Sequence, residues 1–82
     1  MHEPIHEPIE VIASFSKNGV APRIIRWHNR NYLIDQVNLI HTGKKRSNTV
    51  YYFSVSDKAN YFKISFNTED LSWKLEEFYV DG

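Results

Sequence analysis

The side chains able to do chemistry fall in three places. The chain opens Met1-His2-Glu3-Pro4-Ile5-His6-Glu7-Pro8-Ile9, in which the tetrapeptide His-Glu-Pro-Ile occurs twice in tandem. Imidazoles and carboxylates are metal ligands, so His2, Glu3, His6 and Glu7 could recruit an ion. The prolines favour an extended arm, however, and a loose arm makes a weak cage, so no metal site is assigned. The second place is Thr42 to Asn48, where Lys44, Lys45 and Arg46 follow Gly43. It is not a phosphate-binding loop, because the first glycine and the following helix of that motif are missing. As a basic loop it could still meet phosphates, joined by Lys17, Arg23, Arg26 and Arg30 if the fold gathers them. The third place is the pair Tyr52 and Tyr61, expected as outer-face neighbours beside Lys63 and Lys74. Aromatics interleaved with cations suit the stacking of single-stranded bases. Lys44, Lys45, Arg46, Tyr52, Tyr61 and Lys63 are therefore the nucleic-acid candidates. Against them stands a plainer reading, in which outward tyrosines pack across strands and the charges are solvated.

Nothing points to catalysis. His28 and His41 lie far apart, there is no cysteine, and no nucleophile elbow is present. Asp35, Asp57, Glu69, Asp70, Glu76 and Glu77 are scattered over turns and outer faces. Adjacent Glu76 and Glu77 cannot share one side of a strand without a bulge, so a paired-carboxylate site is not expected. His41, next to Thr42, reads as the cap of a strand end. No spacing implies a cofactor.

Composition narrows the setting. Eighty-two residues make one small domain. Ten Lys and Arg balance ten Asp and Glu, so any nucleic-acid contact must come from a local patch. No run is long and apolar enough to span a bilayer, and no secretory segment follows the start. The expectation is a cytoplasmic protein away from membranes, monomeric or homodimeric. Residues 1–9 are expected to form an extended arm, and residues 10–82 a single β domain.

The elements that must position these groups are strands. Thr49 to Asn67 holds two alternating runs around Asp57-Lys58-Ala59-Asn60. Pairing Ser56 with Tyr61 sets Val55 opposite Phe62, Phe53 opposite Ile64 and Tyr51 opposite Phe66, all on one face. A slip of one residue would mix apolar and polar residues on both faces. Upstream, Glu10 to Ser16 reads as a strand that turns at Asn18-Gly19. A three-residue loop over Asn18, Gly19 and Val20 is expected, because it sets Val11 against Trp27 and buries the indole. Arg23 to Trp27 follows, then a turn at Asn29-Arg30 that pairs Trp27 with Tyr32 and Ile25 with Ile34. The apolar phase of the next strand changes near Asp35-Gln36, which predicts a bulge. Thr42 to Asn48 reads as a loop without strand character. The last strand is Ser72 to Val80, with Phe66 opposite Trp73 and a second bulge before Phe78.

Ile24, Leu33 and Ile40 fall on the face opposite Ile25 and Ile34. With Arg26 and His28 at the rim they make a candidate partner patch, unless Ile5 or Ile9 of the arm packs across them. An exposed edge strand could also take a peptide by strand addition.

One stretch resembles a known family. Residues 8–15 (Pro-Ile-Glu-Val-Ile-Ala-Ser-Phe), a glycine turn, then Pro22, Ile25, Trp27, Arg30, Tyr32, Ile34 and Val37 are similar to a small bacterial β-rich domain of unknown function. Tyr51-x-Phe53-x-Val55, Tyr61-x-x-Ile64, Trp73-x-Leu75 and Tyr79-x-Asp81 continue the likeness. The chain has Asn29 and Ile25 where that family has Gly and Phe. Members also occur as a C-terminal module of Y-family-polymerase-like proteins in translesion DNA repair. The resemblance implies a β-rich accessory module near repair machinery and implies no catalytic residues.

Together these readings predict an all-β domain, a meander of about six antiparallel strands curled into an SH3-like partial or closed barrel. The expected core is Ala13, Phe15, Ile25, Trp27, Tyr32, Ile34, Val37, Phe53, Val55, Phe62, Ile64, Phe66, Trp73 and Leu75. The expected function is a non-catalytic module for a protein partner, with weak nucleic-acid binding linked to DNA repair as the alternative. No metal, cofactor or catalytic residue is assigned.

Overall fold

The computed structural model describes residues 2–45 and 48–80, without the side chains of residues 2–4, 39 and 45. The described residues form seven strands: β1 (His2–Ser16), β2 (Gly19–Trp27), β3 (Arg30–Leu33), β4 (Gln36–Lys45), β5 (Asn48–Ser56), β6 (Asn60–Asn67) and β7 (Ser72–Val80). They make one antiparallel sheet in the order β3-β2-β1-β7-β6-β5-β4, curled into a half-barrel. Each strand pairs with its chain neighbour except β3 with β4, and the first strand pairs with the last. The two open edges of the sheet are thus consecutive in the chain. No helix among the described residues is long and apolar enough to cross a membrane.

The hairpin over β5 and β6 has the register that alternation demands. Ser56 pairs with Tyr61, Val55 with Phe62, Phe53 with Ile64 and Tyr51 with Phe66. Its turn is held by Asp57, whose Oδ1 accepts the amides of Ala59 at 2.8 Å and Asn60 at 2.7 Å. β7 aligns as expected too, with Phe66 opposite Trp73 and Ile64 opposite Leu75. The register then shifts between Lys63 and Ile64, so that Phe78 faces Phe62. Ile25, Phe53, Val55, Phe62, Ile64, Phe66 and Leu75 form the buried cluster. Trp27, Tyr32, Ile34, Val37 and Trp73 pack partly buried against it.

Other sequence expectations need correction. The tandem repeat is not an arm outside the sheet: residues 2–9 belong to β1 and pair with β7. Prolines are tolerated because β2 joins β1 only from Glu10 onward, so this half of β1 has a neighbour on one side alone. Between Pro4 and Glu7 two residues, Ile5 and His6, oppose the single Glu76, and His6 takes a left-handed φ of 57°. This bulge turns Ile5 and Ile9 to the core.

The first turn is a two-residue one at Lys17-Asn18, with Ser16 opposite Gly19. A bulge then places Arg23 as the extra residue across from Ile12 and Ala13, and Val11 pairs with Ile25 rather than Trp27. The overlooked signal was in β2, whose core positions switch from Val20 and Pro22 to Ile25 and Trp27. The second turn is at His28-Asn29, with φ of 52° and 63° at the two residues, the backbone of a type I′ hairpin. Ile25 therefore pairs with Tyr32 and Trp27 with Arg30. This offset by a whole pleat keeps Tyr32 and Ile34 on the core side.

The strand expected from Tyr32 onward breaks into β3 and β4 at Ile34-Asp35, which raises the strand count to seven. Thr42 to Lys45 is strand, not loop: Thr42 pairs with Tyr51 and Gly43 with Val50. An apolar partner strand overrides the low β propensity of this polar segment. Phe15, expected in the core, is 62% exposed, and Ala13 is half-buried.

Candidate interaction surfaces

The outer face of the sheet divides into two regions. Over β1, β2 and β3 it is apolar. Ile12 pairs with Ile24 and Ile24 with Leu33, so three aliphatic side chains make one row across three strands. Ile12 and Leu33 are each 64% exposed. Polar rows lie on both sides. On one, Arg26 donates to Asn31 Oδ1 at 3.2 Å and lies 4.0 Å from Glu10. On the other, Arg23 Nε reaches Ser14 Oγ at 3.4 Å. A recess of about 310 Å³ runs along the stripe, lined by Glu10, Val11, Ile12, Ile24, Arg26 and Asn31. Ile24, Arg26 and Leu33 are thus brought together, whereas Ile40, expected on the same face, pairs with Phe53 and faces the core side. Ile12 is the member that sequence reading missed, because the bulge beside it hides its pairing with Ile24. Ile5 and Ile9 do not cover the stripe, since they pack on the core side.

Over β5, β6 and β7 the outer face is polar and internally paired. Ser65 Oγ donates to Glu76 Oε2 at 2.6 Å, and His6 Nδ1 lies 2.7 Å from Glu76 Oε1. Burial raises the Glu76 pKa, but the bonds from Ser65 and His6 and the positive charge of His6 and Lys74 outweigh it and hold the carboxyl below its ordinary range. The order of these groups bears on chemistry. The carboxylate sits between hydroxyl and imidazole, so the imidazole cannot take the serine proton as a nucleophile-activating base would. Lys63 lies 3.7 Å from Glu77, whose Oε1 also accepts the Tyr79 hydroxyl at 2.7 Å. That hydrogen bond raises the Tyr79 pKa.

The nucleic-acid candidates do not converge. Tyr52 faces Ser65 while Tyr61 faces Ser56, at opposite ends of the hairpin, so the two rings do not form one platform. Tyr52 stacks on His41, centroids 4.9 Å apart, and lies over Gly43, where an added Cβ would come within 3.0 Å of the ring. His41 is therefore a packing partner within β4 rather than a strand cap. Lys44 Nζ reaches Thr49 Oγ1 at 3.4 Å. Arg46 and the side chain of Lys45 lie outside the described residues.

A third cluster closes one end of the half-barrel. Glu7 Oε1 accepts the Trp27 indole N–H at 3.1 Å and lies 3.2 Å from His28 Nε2. The indole hydrogen bond leads the causes that hold the Glu7 pKa low; burial opposes it and His28 adds to it. Trp27 stacks on His28 at 4.2 Å and packs on Phe78 at 5.2 Å. This arrangement satisfies a half-buried indole and anchors the second repeat of the opening segment. Within the second repeat His6 thus goes to Glu76 and Glu7 to Trp27, while the side chains of His2 and Glu3 lie outside the described residues. Among the described residues no three His, Asp or Glu side chains are grouped to hold a metal ion.

No family model, curated protein or solved structure matches the chain.

Proposed function

We propose that this chain is a non-catalytic binding module that docks a protein partner on the Ile12–Ile24–Leu33 stripe. The observation that carries the reading is the stripe itself: a continuous apolar row on the outer face, rimmed by polar residues and left exposed at Ile12 and Leu33 by the described residues. Apolar centres with polar rims are the anatomy of specific protein interfaces. Components of DNA-repair machinery, which the family resemblance implies, are the first partners to try.

The test starts with a photo-reactive residue at Leu33, which identifies what lies against the stripe. The purified partner is then titrated with the native chain and with Leu33→Glu. The reading predicts a loss of at least about tenfold for the variant, as for a hot-spot side chain. It also predicts little change as salt rises. Binding to single-stranded or duplex DNA that falls steeply with salt and survives Leu33→Glu would favour the nucleic-acid alternative instead.

A further inference from the structure

The two open edges of the sheet bound a gap on the open side of the half-barrel. At one end the seam is closed: Ile34 N donates to Arg23 O at 2.8 Å and Asp35 N to Ser56 O at 2.9 Å. Beyond that point it opens. Among the described residues β3 covers β2 only from Ile24 to Trp27, so Gly19 to Pro22 has β1 on one side and no described strand on the other. Across the gap β4 is an edge strand, paired with β5 alone along its whole length. The curl of the sheet brings these edges over one cavity of about 210 Å³, lined by Asn18, Gly19, Val20, Ile40, Tyr51 and Phe53. Phe15 and Ile40 face the same side as the core, yet are 62% and 52% exposed. This stretch of core side chains lacks its cover.

We infer that the seam between β2 and β4 accepts an extended segment of a partner protein by strand addition. The surface is separate from the outer-face stripe. What is vacant is a strand position, with unpaired backbone along β4 to supply main-chain hydrogen bonds and an apolar seat for alternate side chains. Charge selects among extended segments. β4 contains no acidic residue and ends in Lys44-Lys45, and the turn on the far side of the gap carries Lys17. The fitting occupant is a segment apolar at alternate positions and acidic at the end that lies beside Lys44.

The test pans a displayed library of random peptides on the intact chain and measures the selected peptides in solution. Alternating, acid-biased peptides are expected, and their binding protects the outward amides of β4 from hydrogen exchange. Ile40→Lys should weaken them at least about tenfold. Lys44→Glu should weaken them less, and N-methylation of alternate peptide amides should abolish binding. Leu33→Glu should leave them unchanged, which separates this site from the stripe. Because Ile40 is half exposed, its variant should fold, and an unchanged melting temperature confirms that. The inference is overturned if no peptide is selected, or if binding ignores both Ile40→Lys and N-methylation. It is also overturned if binding is lost with Leu33→Glu. A dimeric native chain with β4 amides already protected would show that a second copy fills the seam, and would overturn it too.

Discussion

The two halves of the outer face are built from one sheet and solve opposite problems. Over β5–β7, each polar group in the Ser65–Glu76–His6 network finds a partner within the chain, and Lys63 lies beside Glu77. Over β1–β3, Ile12, Ile24 and Leu33 lie side by side, with Ile12 and Leu33 exposed. A polar group without a partner is costly, so the first region stabilises this fold on its own. An aliphatic row in water contributes little to the fold and gains most when something covers it. The contrast sets an internally paired half against an exposed apolar one, to which the proposed function gives association.

That contrast can be broken in graded steps. The largest effect belongs to the layer beneath both regions. Ile64→Ala should cost roughly 2–5 kcal/mol in chemical denaturation, because Ile64 is fully buried where β5, β6 and β7 meet. A much smaller loss would mean that the sheet is not packed as described.

Acid should act next, on the polar half through Glu76 and on the Trp27 cluster through Glu7. The carboxyls of Glu76 and Glu7 titrate below the ordinary glutamate value of 4.5 in the folded chain. Their contribution is therefore fully present above that value and is lost as the pH falls through the lower folded values. Denaturation at a series of pH values should show stability declining through that window. Glu76→Gln should flatten the decline. An identical profile in the variant would remove Glu76 from the account.

Ser65→Ala deletes one hydrogen bond to that carboxylate and should cost roughly 0.5–1.5 kcal/mol. The smallest effect is expected on the stripe: Leu33→Ser should change stability by no more than about 0.5 kcal/mol, as for an exposed position. If Leu33→Ser cost as much as Ser65→Ala, the stripe would be part of the fold rather than a surface kept for a partner.

The sequence disclosed these regions unequally, for physical reasons. The β5–β6 hairpin was readable to the residue because strict alternation fixes both register and face. The Phe66–Trp73 alignment and the bulge before Phe78 followed from the same periodicity. The first turn differs from expectation because the bulge at Arg23 shifts the register beyond it, and the second, with no bulge in β2 or β3, because His28 and Asn29 rather than Asn29 and Arg30 take positive φ. The turn at Lys17-Asn18 and the one-residue bulge at Arg23 together set Val11 opposite Ile25 and Ile12 opposite Ile24, and alternation alone shows neither. The pairing of β1 with β7 spans nearly the whole chain, and no local pattern announces it. Prolines argued against a strand there, and only the one-sided pairing of residues 2–9 makes them acceptable. Thr42 to Lys45 became strand because β5 lies beside it. Ile24, Arg26 and Leu33 were legible as a patch because alternation alone sets them opposite the core, whereas the Ser56–Tyr61 register that alternation gives already sets Tyr52 opposite Ser65 and so speaks against Tyr52 and Tyr61 as neighbours.

The most direct test of the central claim is the affinity of the photo-crosslinked, purified partner for the native chain and for Leu33→Glu, with the melting temperature measured alongside. The account predicts at least about a tenfold loss of affinity with the melting temperature essentially unchanged. Affinity unchanged in Leu33→Glu would contradict it.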